Sequence, residues 1–113
     1  MIILYGIKNC ETVRKARQWL EQHDFEYRFH DFRVDGLEAM RLERLEAVVG
    51  WELLLNRRGT SWHKLDESER ENLDRDKALA LMLDHPTLIK RPVLETGSKT
   101  LIGFSPDYYG SEL

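Results

Sequence analysis

IILYGIKNCETVRKARQWLEQHDFEYRF, residues 2–29, changes its hydrophobic period twice. Ile2, Ile3, Leu4 and Tyr5 form an unbroken apolar run, the pattern of a strand buried on both faces. Gly6-Ile7-Lys8-Asn9 follows as a short loop. From Glu11 the period becomes helical. Val13, Ala16, Trp19 and Leu20 share one face, while Arg14, Lys15, Gln18, Glu21 and Gln22 take the other. Phe25, Tyr27 and Phe29 then alternate with Glu26, Arg28 and His30, the period of a half-buried strand near a sheet edge. The stretch therefore reads as β-α-β, with a right-handed crossover and parallel strands. It places Cys10 between a buried strand and the first turn of a helix.

Downstream, Asp35-Gly36 is a turn. Leu37, Leu42, Leu45, Val48 and Val49 predict a second helix that Gly50 stops. Trp51–Leu55 reads as one further helical turn, and Asn56–Ser61 as a polar loop. Asp66 with Glu69 is a capping-box variant. Asp74 is the next N-cap, opening a run through Ala78, Leu79, Met82 and Leu83 that ends at His85-Pro86. Val93-Leu94-Glu95 and Thr100-Leu101-Ile102 flank Gly97-Ser98-Lys99 as an antiparallel hairpin. Ser105-Pro106 caps a short terminal helix. The order is βαβ, a helical block, then ββα. This is an α/β chain with a mixed four-stranded sheet of thioredoxin-like arrangement. One domain over residues 1–113 is expected, with a helical insertion at about 37–84.

Composition agrees. At 113 residues the chain is long enough to bury roughly two-thirds of its unfolded surface without staples. Seventeen basic against 20 acidic residues give a formal charge of −3, which argues against nucleic acid as a partner. No apolar run reaches the roughly 20 residues of a membrane helix, and Met1–Tyr5 is too short for a signal peptide. The single cysteine allows no intrachain disulfide and no zinc finger, and fits a reducing cytoplasm. His23, His30, His63 and His85 lack metal-ligand spacing, so no metal is expected.

The chemistry concentrates on Cys10. A lone cysteine is commonly a small buried hydrophobe. A strand–loop–helix position changes that reading, because helix N–H groups favour the thiolate, the form that attacks. Lys8 precedes Cys10 by two residues and Arg14 follows by one turn, so positive charge is expected on both sides, with Asn9 beside it. Val13 stands three residues on, so no second thiol can resolve an adduct. An external thiol must do so, and glutathione is the abundant cytosolic one. Its two carboxylates call for basic or backbone donors. Arg91-Pro92 is the second constellation: a proline directly ahead of a strand can be cis, and an arginine there can hold an anion bidentately. Arg57-Arg58 is the third, either a solvated pair or an anion clamp. Trp19, Trp51 and Trp62 stand too far apart in sequence to form a stacking platform and suit core or subunit contacts.

Three segments carry a family resemblance: Leu4–Ala16 around Cys10, Asn56-Arg57-Arg58-Gly59, and His85–Pro92. With Ile102-Gly103-Phe104-Ser105 they make the chain resemble the ArsC/Spx family of thioredoxin-like proteins across its length, and most of all the small YffB-type members. The resemblance implies Cys10 as nucleophile, Arg91 as its anion-stabilising partner and Pro92 as a cis-proline facing the cysteine. It implies that Arg57 or Arg58 matches the family's middle arginine. Lys8, Asn9, Arg57, Arg58 and Pro92 are thus expected to contact substrate. Arsenate reductases of this family carry a histidine where Gly6 stands and a third arginine near Gly103-Phe104. The implied activity is therefore a glutathione-dependent thiol oxidoreductase acting on a small-molecule or protein disulfide, with glutathione as co-substrate and no bound cofactor. The alternatives are an Spx-like regulator with RNA polymerase as protein partner, and a glutathione-coupled arsenate reductase.

Overall fold

The structure is a computed structural model that describes residues 1–113. The elements run β1 (Ile2–Gly6), α1 (Glu11–Gln22), β2 (Tyr27–Asp31), α2 (Ala39–Val49), α3 (Trp51–Leu54), α4 (Thr60–His63), α5 (Glu67–Arg70), α6 (Arg75–Asp84), a 3-10 turn (Pro86–Leu88), β3 (Val93–Glu95), β4 (Thr100–Ile102) and α7 (Pro106–Glu112). The chain divides into two compact units, Met1–Asp35 with Arg91–Leu113, and Gly36–Lys90.

The first unit holds a four-stranded mixed sheet in the order β2-β1-β3-β4. Parallel β1 and β2 pair from Ile2 with Tyr27 to Gly6 with Asp31. On the other side of β1, Leu4 faces Leu94 and Tyr5 faces Val93, antiparallel. The β3–β4 hairpin matches Leu94 to Leu101. This is the α/β, thioredoxin-like arrangement that the period changes imply. Ala16 and Leu20 of α1, Leu4, Leu94, Leu101 and Tyr109 of α7 form its core. Burying each leucine contributes about 1.5–3 kcal/mol. Trp19 is half-buried at the margin, stacked on His23 and edge-on to Tyr109. One boundary moves: β2 begins at Tyr27 and extends to buried Asp31, because the Phe25 N–H is taken by the Leu20 carbonyl as the chain leaves α1.

The second unit is a set of short helices around Leu42, Leu45, Leu54, Ala78 and Met82. Gly50, at φ +85°, ends α2 in a conformation that side chains rarely adopt. Val48 does not join the apolar face as its spacing suggests and is 65% exposed. The capping box at Asp66 and Glu69 is present, and the Asp74 carboxylate accepts the Lys77 N–H. The polar stretch after Asn56 is shorter than its composition predicts, since Thr60 and Ser61 begin the helical turn α4.

Candidate active site

Strand β1 delivers the chain to a loop of buried Ile7 and exposed Lys8 and Asn9. What holds this loop is the carboxylate of Asp31, only 6% exposed at the end of β2. Its Oδ2 accepts the Lys8 N–H at 3.3 Å, and its Oδ1 accepts the Arg33 N–H at 2.8 Å. The Asp31 N–H in turn donates to Asp35 Oδ2 at 3.0 Å, and Phe32 N–H to the Gly6 carbonyl at 2.9 Å. Hydrogen bonds to a charged acceptor contribute about 1.5–3 kcal/mol, so Asp31 is the anchor of the turn that carries Cys10.

Cys10 is the N-cap of α1, with extended backbone (φ −107°, ψ 122°). Its carbonyl accepts the Arg14 N–H at 3.0 Å, the first bond of the helix. Its thiol is half-buried and makes no capping hydrogen bond, so sulfur is not consumed in holding the helix end. The first-turn N–H groups of α1 are the partial positive charges nearest to it along the chain. Arg14, one turn after Cys10, is ion-paired within its own helix. Its guanidinium pairs with the Glu11 carboxylate, three residues apart on the exposed face. The hydrogen bond and charge of Arg14 hold Glu11 below the usual carboxylate range, and Glu11 raises Arg14 in return.

Gly6 and Val13 explain each other. A Cβ on Gly6 would lie 2.6 Å from Val13 Cγ2 and 3.1 Å from Cγ1, inside contact distance. Helix α1 therefore approaches β1 more closely here than any side chain at position 6 allows. The position where arsenate reductases hold histidine and the position where dithiol enzymes hold a resolving cysteine thus pack on one another, as glycine and valine.

Arg91 and Pro92 arrive from the other side of β1. The Arg91–Pro92 peptide bond is cis, as the resemblance implies. The Pro92 carbonyl accepts the Gly103 N–H at 2.9 Å, and the next residue, Val93, pairs with Tyr5. Pro92 is therefore at the same end of the sheet as Gly6 and the Cys10 loop. Arg91 is half-buried there. Lys8, Asn9, Cys10, Arg91 and Pro92 thus belong to one end of the first unit. Phe104, after the last strand, packs edge-on to Tyr109 at 4.7 Å and serves the core rather than an anion.

Arg57 and Arg58 belong to the second unit. Leu55 bridges Ile89, Asn56 N–H donates to the Leu88 carbonyl, and Lys90 N–H donates to the Leu54 carbonyl. This pairing sets the arginine loop beside Lys90, where Glu52, Asn56, both arginines and Lys90 line a cavity of about 420 Å³. The Arg57 guanidinium lies 5.8 Å from the Trp51 ring and 5.9 Å from the Trp62 ring, within cation–π range of both. The two tryptophans, which sequence distance keeps apart, meet at this arginine. Arg58 donates its N–H to Asn56 Oδ1 at 3.0 Å, closing the loop.

Sequence reasoning missed Asp31. Its signal was an acidic residue closing a strand that alternates aromatic with basic residues, but its partners lie up to 23 residues away. No group of three or more His, Cys, Asp or Glu side chains comes together as a metal site. No helix is long and apolar enough to cross a membrane.

This architecture has close counterparts. A solved structure of the YFFB protein superposes with a TM-score of 0.93 at 50% identity, covering 98% of this chain and 97% of that one. A protein of Haemophilus influenzae described as uncharacterized is 48% identical over 109 residues, 96% of each chain. The global transcriptional regulator Spx of Streptococcus mutans is 28% identical over 109 residues, spanning 95% of this chain and 79% of its own length. The ArsC family model matches residues 5–111, from the second half of β1 to the last turn of α7, and the chain belongs to the ArsC family.

Proposed function

We propose that this protein is a glutathione-dependent thiol oxidoreductase with Cys10 as its single nucleophile. The Cys10 thiolate attacks the glutathionyl sulfur of a mixed disulfide, R–S–S–G. A Cys10–glutathione disulfide forms, the original S–S bond breaks, and the released thiolate RS⁻ takes a proton. A second glutathione thiolate then attacks the glutathionyl sulfur bound to Cys10. Oxidised glutathione leaves, and the Cys10 thiolate is restored. Arg91 stabilises the thiolate and the leaving sulfur, with the N–H groups of the first turn of α1 doing the same. Lys8, Asn9 and the Pro92 backbone contact the glutathionyl peptide.

One observation carries this reading. Cys10 stands at the start of a twelve-residue helix with a thiol uncommitted to capping, while position 13 is filled by Val13 packed against Gly6. The site is that of a nucleophile that depends on an outside thiol. The test is steady-state reduction of a small glutathione mixed disulfide, with reduced glutathione supplied. Cys10→Ser should remove turnover altogether. Arg91→Ala should lower it by about tenfold or more, as expected when a charged partner of a developing anion is lost. Turnover unchanged in Cys10→Ser would defeat the proposal.

The likeness to a global transcriptional regulator supports a second reading, a regulatory protein, with RNA polymerase the partner that the Spx resemblance implies. Capture of polymerase that survives Cys10→Ser would favour it. Arsenate reduction ranks behind both, because Gly6 stands where that chemistry needs a histidine and Gly103-Phe104 where it needs a third arginine.

A further inference from the structure

Strand β2 is an edge of the sheet: β1 pairs with one side of it and no strand pairs with the other. The direction of its backbone groups follows from two hydrogen bonds. Phe32 N–H reaches the Gly6 carbonyl, on the β1 side, while Asp31 N–H turns outward to Asp35 Oδ2. Alternate residues of a strand turn their N–H and C=O to opposite edges. Tyr27 and Phe29, of the same parity as Asp31, therefore present theirs to the open edge. The Asp35 carboxylate closes that edge at Asp31 and leaves Tyr27 and Phe29 unclosed.

The side chains along this edge are self-complementary. Residues 25–29 read Phe25-Glu26-Tyr27-Arg28-Phe29, aromatic and charged in alternation, with the two charges opposite. Phe25 and Glu26 lead into β2; Phe25, Tyr27 and Phe29 are half-buried against the core, while Glu26 and Arg28 are exposed. Neither Glu26 nor Arg28 has an ion-pair partner in its own chain. Beside the edge, Ile2, Arg17, Phe25, Tyr27 and Phe29 line an open groove of about 760 Å³. Its floor is fixed: Arg17 lies 4.2 Å over the Phe29 ring and donates to the Tyr27 hydroxyl, which donates to Glu21.

We propose that β2 is a homodimer interface, in which a second copy of this chain adds its own β2 antiparallel about Tyr27. In that register Tyr27 faces Tyr27 of the partner, Phe25 faces Phe29, and Glu26 faces Arg28, each of the last two twice by symmetry. The two Tyr27 residues exchange two backbone hydrogen bonds. Each Phe29 N–H donates to the opposing Phe25 carbonyl, since the Phe25 N–H is already taken by Leu20. The Glu26–Arg28 pairs fall at non-hydrogen-bonded positions, where opposed side chains are closest. Sliding by two residues opposes Arg28 to itself in one direction and Glu26 to itself in the other, so charge selects this register. The result is one eight-stranded sheet. The pairing uses the end of β2 remote from Gly6, so it leaves the Cys10 loop uncovered.

Sedimentation equilibrium of the full chain over a micromolar-to-millimolar series tests this. The wild type should rise from monomer to dimer mass. Glu26→Arg and Arg28→Glu should each weaken association by at least about tenfold, because two attractive pairs become repulsive. An equimolar mixture of the two variants should dimerise again, since every facing pair across positions 26 and 28 then joins one arginine to one glutamate. A general effect on folding does not produce that rescue. Amide exchange of the wild type adds a measurement without substitution: the Tyr27 and Phe29 amides should gain protection as concentration rises. A monomer throughout the series overturns the proposal. So does association that neither variant weakens, or Tyr27 and Phe29 amides whose exchange ignores concentration.

Discussion

The two ends of the β1–β2 pair differ in how their polar groups are satisfied. At the Gly6–Asp31 end, Lys8, Arg33 and Phe32 N–H groups and the Asp31 N–H all have partners, two of them on one buried carboxylate. At the Ile2–Tyr27 end no strand pairs with the outer edge of β2. The satisfied end carries Cys10, the proposed nucleophile, and the open end carries alternating aromatic and charged side chains. The contrast shows where this fold stores its precision. In the proposed reaction a thiol meets a substrate sulfur at a set angle and needs a fixed turn beneath it, and Asp31 and the Gly6–Val13 contact provide that turn.

Substitutions at the satisfied end should therefore cost the most. Gly6→Ala forces a methyl against Val13 and should destabilise by about 1–3 kcal/mol, read as a lower midpoint in urea. Adding Val13→Ala should return part of that loss, because the atoms struck are those of the valine side chain. Asp31→Ala strands the Lys8 and Arg33 N–H groups and should cost about 1–3 kcal/mol. It should also slow Cys10 disulfide exchange more than Gly6→Ala/Val13→Ala does. An Asp31→Ala protein of unchanged midpoint and rate would erase the contrast between the two ends.

Unsatisfied groups should behave the other way. The Tyr109 hydroxyl is buried with no hydrogen-bond partner, and burial pushes its ionisation well above that of an ordinary tyrosine. Tyr109→Phe removes an orphaned polar atom while keeping the ring that meets Trp19 and Phe104, so stability should hold or rise by up to about 1 kcal/mol. A loss of that size would reveal a partner for the hydroxyl. The smallest effect belongs to Glu11, whose carboxyl Arg14 holds low. A lowered folded value means stability present above the unfolded carboxylate range and lost as pH falls through the folded one. Glu11→Gln should flatten that acid-side slope slightly and only at low salt, because the pair is exposed.

Local signals are legible in the sequence and long-range ones are not. The period changes in residues 2–29 announce β1, α1 and β2, and Asp66, Asp74 and Ser105 announce their helices, because each depends on neighbours within a turn. The position of Cys10 follows from the same local reading. Asp31 escapes it because its work is done for Lys8, across two elements. Arg14 reads as a neighbour of the thiol because spacing gives distance and not direction, and Glu11 claims it. Trp51 and Trp62 converge on Arg57 only after a helical turn folds between Gly59 and Lys64, a turn that polar composition conceals.

In the proposed function the fold makes Cys10 a glutathione-exchanging nucleophile. The most direct test follows intact mass after adding oxidised glutathione to the folded chain and to the same chain in urea. The folded protein should gain one glutathionyl group faster than the unfolded chain, and reduced glutathione should remove it completely. Slower addition in the folded state, or an adduct that reduced glutathione cannot remove, would contradict the account.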